Sequence, residues 1–124
     1  MNINNPLPPD RMYTDDGLMV HCRVIDVPPW NMDTTANINI PHGLGALWSN
    51  IISINVWIMR DGVTILVPLM SVQNNADPLL LGGGIYWITP TDINLQRRTG
   101  GQFDSANYSA VLVNRGKMLV WYHE

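Results

Sequence analysis

A single cysteine, Cys22, in a chain of 124 residues rules out an internal disulfide and fits synthesis in a reducing cytoplasm. It lies in the apolar run LMVHCRVIDV, where a lone thiol reads as a small core residue. Charge is scarce as well: 14% of residues are charged, against ~25% in an average soluble domain, while 46% are hydrophobic. A chain so poor in charge tends to hide surface against partners. The seven basic residues are scattered apart from Arg97-Arg98, and the formal net charge is −3, so the basic patch that a nucleic-acid binder needs is missing. The arginine pair reads as a solvated strand end or an interface salt bridge. No stretch approaches the ~20 apolar residues of a membrane span, which excludes helical membrane insertion. MNINNPLPPD has neither the basic nor the apolar region of the usual secretion signal, so a soluble product is expected.

Catalytic constellations are equally sparse. His21, His42 and His123 are far apart in sequence, and none stands at zinc-ligand spacing with Cys22 or an acid. His42, between Pro41 and Gly43, reads as a turn residue. There is no GxSxG element, and Gly82-Gly83-Gly84 carries neither GK[ST] nor GxGxxG spacing, so it reads as loop rather than phosphate cradle. Asp15 and Asp16 are adjacent and point to opposite sides of an extended chain, which is poor geometry for a cation. Asn107-Tyr108-Ser109 is a glycosylation sequon, meaningful only in a secretory pathway. The expectation is a protein that is not an enzyme, with no catalytic residues, no metal and no cofactor.

What the chain does have is alternation. Ile51 to Val72 reads as two strands joined by Asp61-Gly62, the sequence of a type I′ turn. That turn would pair Arg60 with Val63, Ile58 with Ile65, Val56 with Val67 and Ile54 with Leu69. It would set Ile52, Ile54, Val56 and Ile58 on one face with Val63, Ile65, Val67 and Leu69. The opposite face, including Trp57, Met59, Leu66, Pro68 and Met70, is too apolar to stand in free water. Pro68 cannot donate a ladder hydrogen bond, which places its strand at a sheet edge or a bulge.

Residues 1–17 hold three prolines, three asparagines and three aspartates without apolar periodicity, and read as an extended arm ahead of a domain over 18–124. Further strands are expected at Leu18–Val27, ended by Pro28-Pro29, and at Thr34–Ile40, with Ala36, Ile38 and Ile40 inward and Asn37 and Asn39 outward. Leu44–Asn50 reads as a short helical turn or loop. Gln73–Gly84 reads as a long connection. Ile85–Thr89 and Ile93–Arg97 flank a turn at Pro90-Thr91-Asp92, and Phe103 anchors a loop. A last hairpin of Tyr108–Val113 and Lys117–His123 over Asn114-Arg115-Gly116 would set Val111 against Leu119 and Leu112 against Met118. About seven or eight short strands with turn signals at sheet-like spacing mean an all-β fold, an antiparallel β-sandwich with an extended N-terminal arm.

Five tryptophans and four tyrosines beside one phenylalanine are a large aromatic load. Exposed tryptophans anchor interfaces or stack on sugars. Trp57, Met59, Leu66 and Met70 are the candidate subunit interface. Leu7, Pro8, Pro9, Met12 and Tyr13 are the candidate docking arm, and Trp48 and Trp87 are candidate glycan contacts.

Four segments, taken together, resemble a known group: WNMDTT (Trp30–Thr35), INIPHGL (Ile38–Leu44), INLQRRTGGQFDSANY (Ile93–Tyr108) and NRGKMLVWY (Asn114–Tyr122). They resemble small β-sandwich domains of bacteriophage structural proteins, tail-fibre and related appendage proteins especially, including phages of Bacteroidetes-type hosts. The similarity covers roughly residues 30–124, and the strand order looks like that of trimeric H-type lectins. The resemblance implies a virion protein made in a bacterial host, a homo-oligomer and by analogy a trimer, in a tail fibre, baseplate, head fibre or capsid decoration. It would dock on other virion proteins through the arm. The alternative is a lectin-like carbohydrate-binding module that reads a host surface glycan. Fibre domains usually follow a long shaft, whereas only a short proline-rich arm precedes this domain.

Overall fold

Short alternating segments form eight strands in a computed structural model, which describes residues 11–69, 82–111 and 114–124. They are β1 (Met12–Tyr13), β2 (Met19–Val27), β3 (Asn37–Pro41), β4 (Ile51–Met59), β5 (Leu66–Pro68), β6 (Gly83–Ile88), β7 (Asp92–Arg97) and β8 (Gly116–His123). One sheet has the order β1-β2-β8-β4-β5 and the other β3-β7-β6, and every pairing is antiparallel. The antiparallel sandwich expected from the alternation is therefore the fold. A single core lies between the sheets: Val27, Val56, Ile58, Met118 and Val120 from the larger, Ile40, Ile93 and Leu95 from the smaller. Trp30, Met32, Phe103 and Tyr108 close it from the connections. The 3-10 turn Gly45–Asn50 leads into β4, and β5, with Pro68, lies at the sheet edge where a proline is tolerated.

The central hairpin departs from the predicted register. Ile58 faces Val67, Trp57 faces Pro68 and Met59 faces Leu66, a slip of two residues. Among the described residues only glycines have positive φ, so Asp61 does not take the left-handed conformation that a type I′ turn requires at its first position. Its carboxylate is bound elsewhere, to Arg115 and to the amides of Ser109 and Ala110. Because the slip is even, each side chain stays on its face. Val67 and Leu69 reach the core, while Val63 and Ile65 run past it into solvent. Ile52 also leaves the expected core row, because a bulge between Ile51 and Ser53 turns it outward.

The last hairpin does not form among the described residues. Residues 106–108 form a 3-10 turn, and β8 pairs with β2 and β4 instead, so Leu119 lies between Val24 and Asn55 and Met118 between Ile25 and Val56. Val111 is exposed, and Leu112 is outside the described residues. The cause is Arg115, read as a turn residue but 1% exposed, whose amide donates to Val27 O at 2.9 Å. Gly116 follows it because a Cβ there would stand 1.9 Å from Trp57 O.

Three more expectations change. Cys22 is exposed rather than core, since the β2 face that packs inward is that of Ile25 and Val27. Met12 and Tyr13, placed in the arm ahead of a domain starting at residue 18, pair with Val20 and Met19 as an edge strand of the larger sheet. Gly83 and Gly84 open β6 rather than a loop, and a Cβ on Gly83 would meet Gln96 O at 2.2 Å.

Candidate assembly face and ligand-facing residues

Strand alternation in the five-stranded sheet sends one set of side chains to the core and the other outward. On the outward face the register aligns Val24, Leu119 and Asn55 in one row and Asp26, Lys117, Trp57 and Pro68 in the next. Met59 and Leu66 continue it at one edge, and Met12 and Val20 at the other. Val24 is 63% exposed and Trp57 36%, and Met12 and Leu66 are exposed too. The face thus carries exposed apolar side chains on both sides of a polar middle of Asn55, Asp26 and Lys117, with nothing over it among the described residues. Trp121 Nε1–H donates to Asn55 Oδ1 at 3.2 Å on this face, and Asp26 stands opposite Lys117, so the row carries no net charge.

The structure brings together Trp57, Met59 and Leu66 of the predicted interface, while Met70 lies outside the described residues. Of the predicted arm, Leu7, Pro8 and Pro9 also lie outside them. Val24, Leu119 and Trp121 complete the face and were not singled out in the sequence. The alternation in LMVHCRVIDV sorts Val20, Cys22 and Val24 onto one face, yet gives no sign that this is the outer one.

The outer face of the smaller sheet is different in chemistry. Asn37, Asn39, Asn94 and Gln96 project from it, with Trp87 directly opposite Asn94. Asn94 Nδ2 donates to Asn39 Oδ1 at 2.7 Å, and Asn94 Oδ1 has no donor among the described residues. A bulge between Ile85 and Trp87 brings Tyr86 and Trp87 together, ring centroids 4.4 Å apart. Trp48, the other predicted glycan contact, is half-buried in the 3-10 turn before β4 and does not belong to this surface.

Charged and titratable groups with strong interactions are structural. Arg115 donates to Trp30 O (3.0 Å), Met59 O (2.8 Å), Ala110 O (2.7 Å) and Asp61 Oδ1 (2.7 Å), and its guanidinium carbon lies 5.9 Å from the Tyr108 ring centroid. Partial burial pushes the Asp61 carboxyl up, but Arg115 and the amides of Ala110 and Ser109 outweigh it and hold the group below the usual carboxylate range. Burial raises the Tyr108 phenol, against the opposing pull of Arg60 and Arg115. Arg97, expected at a solvated strand end, is buried and donates to Met32 O and Thr99 Oγ1, with Asp104 3.5 Å away. His42 accepts from Leu44 N–H on Nδ1 and therefore carries its proton on Nε2, which donates to Thr89 O at 2.9 Å. It is a buried latch between the end of β3 and the β6–β7 turn. No three His, Cys, Asp or Glu side chains cluster as metal ligands among the described residues.

In comparisons with known proteins, no family model, curated protein or solved structure matches the chain.

Proposed function

We propose that this chain is a structural subunit of a bacteriophage virion, a β-sandwich that assembles with copies of itself as a trimer in a tail fibre, baseplate or capsid decoration. One observation carries the assembly: the uncovered apolar face around Trp57, Met59, Leu66, Val24 and Leu119. At ~25 cal/mol per Å² of apolar surface, covering such a face is strongly favourable, and the charges in its central row, Asp26 and Lys117, already offset each other. A second copy therefore meets no net repulsion there. The virion assignment rests on the resemblance of the segments at residues 30–124 to phage appendage domains. In the same reading, the residues ahead of β1 dock on a neighbouring virion protein.

Light scattering of the purified chain is expected to give a mass three times the 13.9 kDa of one chain. Trp57→Glu combined with Leu66→Glu should yield a monomer with an unchanged far-ultraviolet spectrum. A wild-type monomer at micromolar concentration, or peptides of this chain missing from purified particles by mass spectrometry, would count against the assignment.

A further inference from the structure

The sheet facing away from the proposed interface carries a second, chemically distinct surface, complete within one chain and independent of that assembly. Next to Trp87, a groove of about 320 Å³ runs along the β6–β7 pair, lined by Gly84, Tyr86, Gln96, Arg98 and Thr99 among others. That volume is at the lower end of the ~300–1,000 Å³ of small-ligand sites. Two observations converge on it, and a third lies beside it at Asn94, opposite Trp87. Tyr86 and Trp87 are 56% and 47% exposed and lie against each other, although neighbours in a regular strand would point apart; the bulge brings their rings together at a 47° tilt, an open aromatic V. Gln96 borders the groove, and Asn94 on β7 with Asn37 and Asn39 on β3 continue the row, so side-chain amides flank the aromatic pair on one side. Finally, Asn94 is 2% exposed although it sits on an outward face, and its Oδ1 has no donor among the described residues.

We infer that this surface binds a saccharide, with a pyranose ring stacked on Trp87 against the tilted Tyr86 and its hydroxyls held by the flanking amides and Arg98. The chemistry discriminates among ligands. Aromatic faces match the C–H face of a sugar ring, and primary amides match hydroxyl groups because both are donor and acceptor at once. An apolar protein partner would leave the exposed amides unpaired, whereas the hydroxyls of a sugar pair with them as donor and acceptor at once. Arg98, exposed and without an ion pair among the described residues, adds a donor at the open end of the groove.

The test is a glycan array probed with the labelled full chain, followed by titration of the best-bound oligosaccharide into isotope-labelled protein. Expected are array hits, with shifts at the Trp87 indole N–H and the Asn94 and Gln96 amides. Trp87→Ala and, separately, Tyr86→Ser should each weaken binding at least about tenfold, with thermal midpoints showing that the variants fold. Trp57→Glu, on the other sheet, should leave the affinity for a single oligosaccharide unchanged. No hits on the array, hits that survive both aromatic substitutions, or a change of oligomer mass in Trp87→Ala would overturn the inference. The last outcome would identify the surface as a protein interface.

Discussion

Arg115 and Asp61 link parts of the chain that are distant in sequence. The guanidinium joins the Trp30 connection, the end of β4 and the segment after the 106–108 turn, while the carboxylate holds two amides of that segment. Removing the carboxylate leaves a cation that is 1% exposed without its counter-charge, so Asp61→Asn should cost about 3 kcal/mol of stability in denaturant titrations. The pH dependence has a definite sign. The folded Asp61 carboxyl titrates below its unfolded value of ~3.9, so its contribution is complete above that pH and is lost as pH falls from there through the folded value. The wild type should lose stability over that window, and Asp61→Asn should lose less, since the ionisation is gone. Equal slopes in the two proteins would place the acid sensitivity elsewhere. Neither partner was legible beforehand: Asp-Gly and Asn-Arg-Gly both carry the composition of hairpin turns, and sequence distance hides a contact between positions 61 and 115.

Elements with unbroken period-two alternation were the most readable. In β3, Ile38 and Ile40 point in and Asn37 and Asn39 out, as the pattern demands, and β7 and β8 lie where the apolar spacing sets them. Register was less readable, because pairing depends on what holds each turn. In β4–β5 the two-residue slip separates residues that the alternation treats alike, and this can be measured. Ile58 is fully buried, so Ile58→Ala should cost ~3 kcal/mol, within the range for large-to-small core changes. Ile65 is 53% exposed, so Ile65→Ala should change stability by no more than ~0.5 kcal/mol. Comparable losses at both positions would restore the tighter turn. Bulges were likewise invisible: nothing in IISIN or GIYWI announces that Ile52 turns outward or that Tyr86 joins Trp87. The candidate glycan surface was therefore only half legible, with Trp87 recognisable by residue type and its amide neighbours dependent on strand pairing.

The two outer faces of the sandwich have opposite needs, and that asymmetry gives the whole molecule a direction. The larger sheet presents an apolar surface that burial stabilises, and the smaller presents amides and aromatics suited to a hydrated ligand. If copies pack through the larger sheet, every smaller sheet faces away from the assembly axis, and an array of grooves is displayed on its periphery. Each groove in isolation is a shallow site with few contacts and hence modest affinity. Linked sites convert later contacts into intramolecular ones, with gains of ~10²–10⁴ where the spacing permits simultaneous engagement. The wild-type assembly should accordingly hold a glycan-coated surface at least about a hundredfold more tightly than the Trp57→Glu, Leu66→Glu monomer, measured by biolayer interferometry as slower dissociation. In solution both should bind one soluble oligosaccharide equally. A monomer that dissociates from the surface as slowly as the wild type would show that the grooves do not act together, and a monomer that no longer binds the soluble sugar would show that the site itself spans two copies.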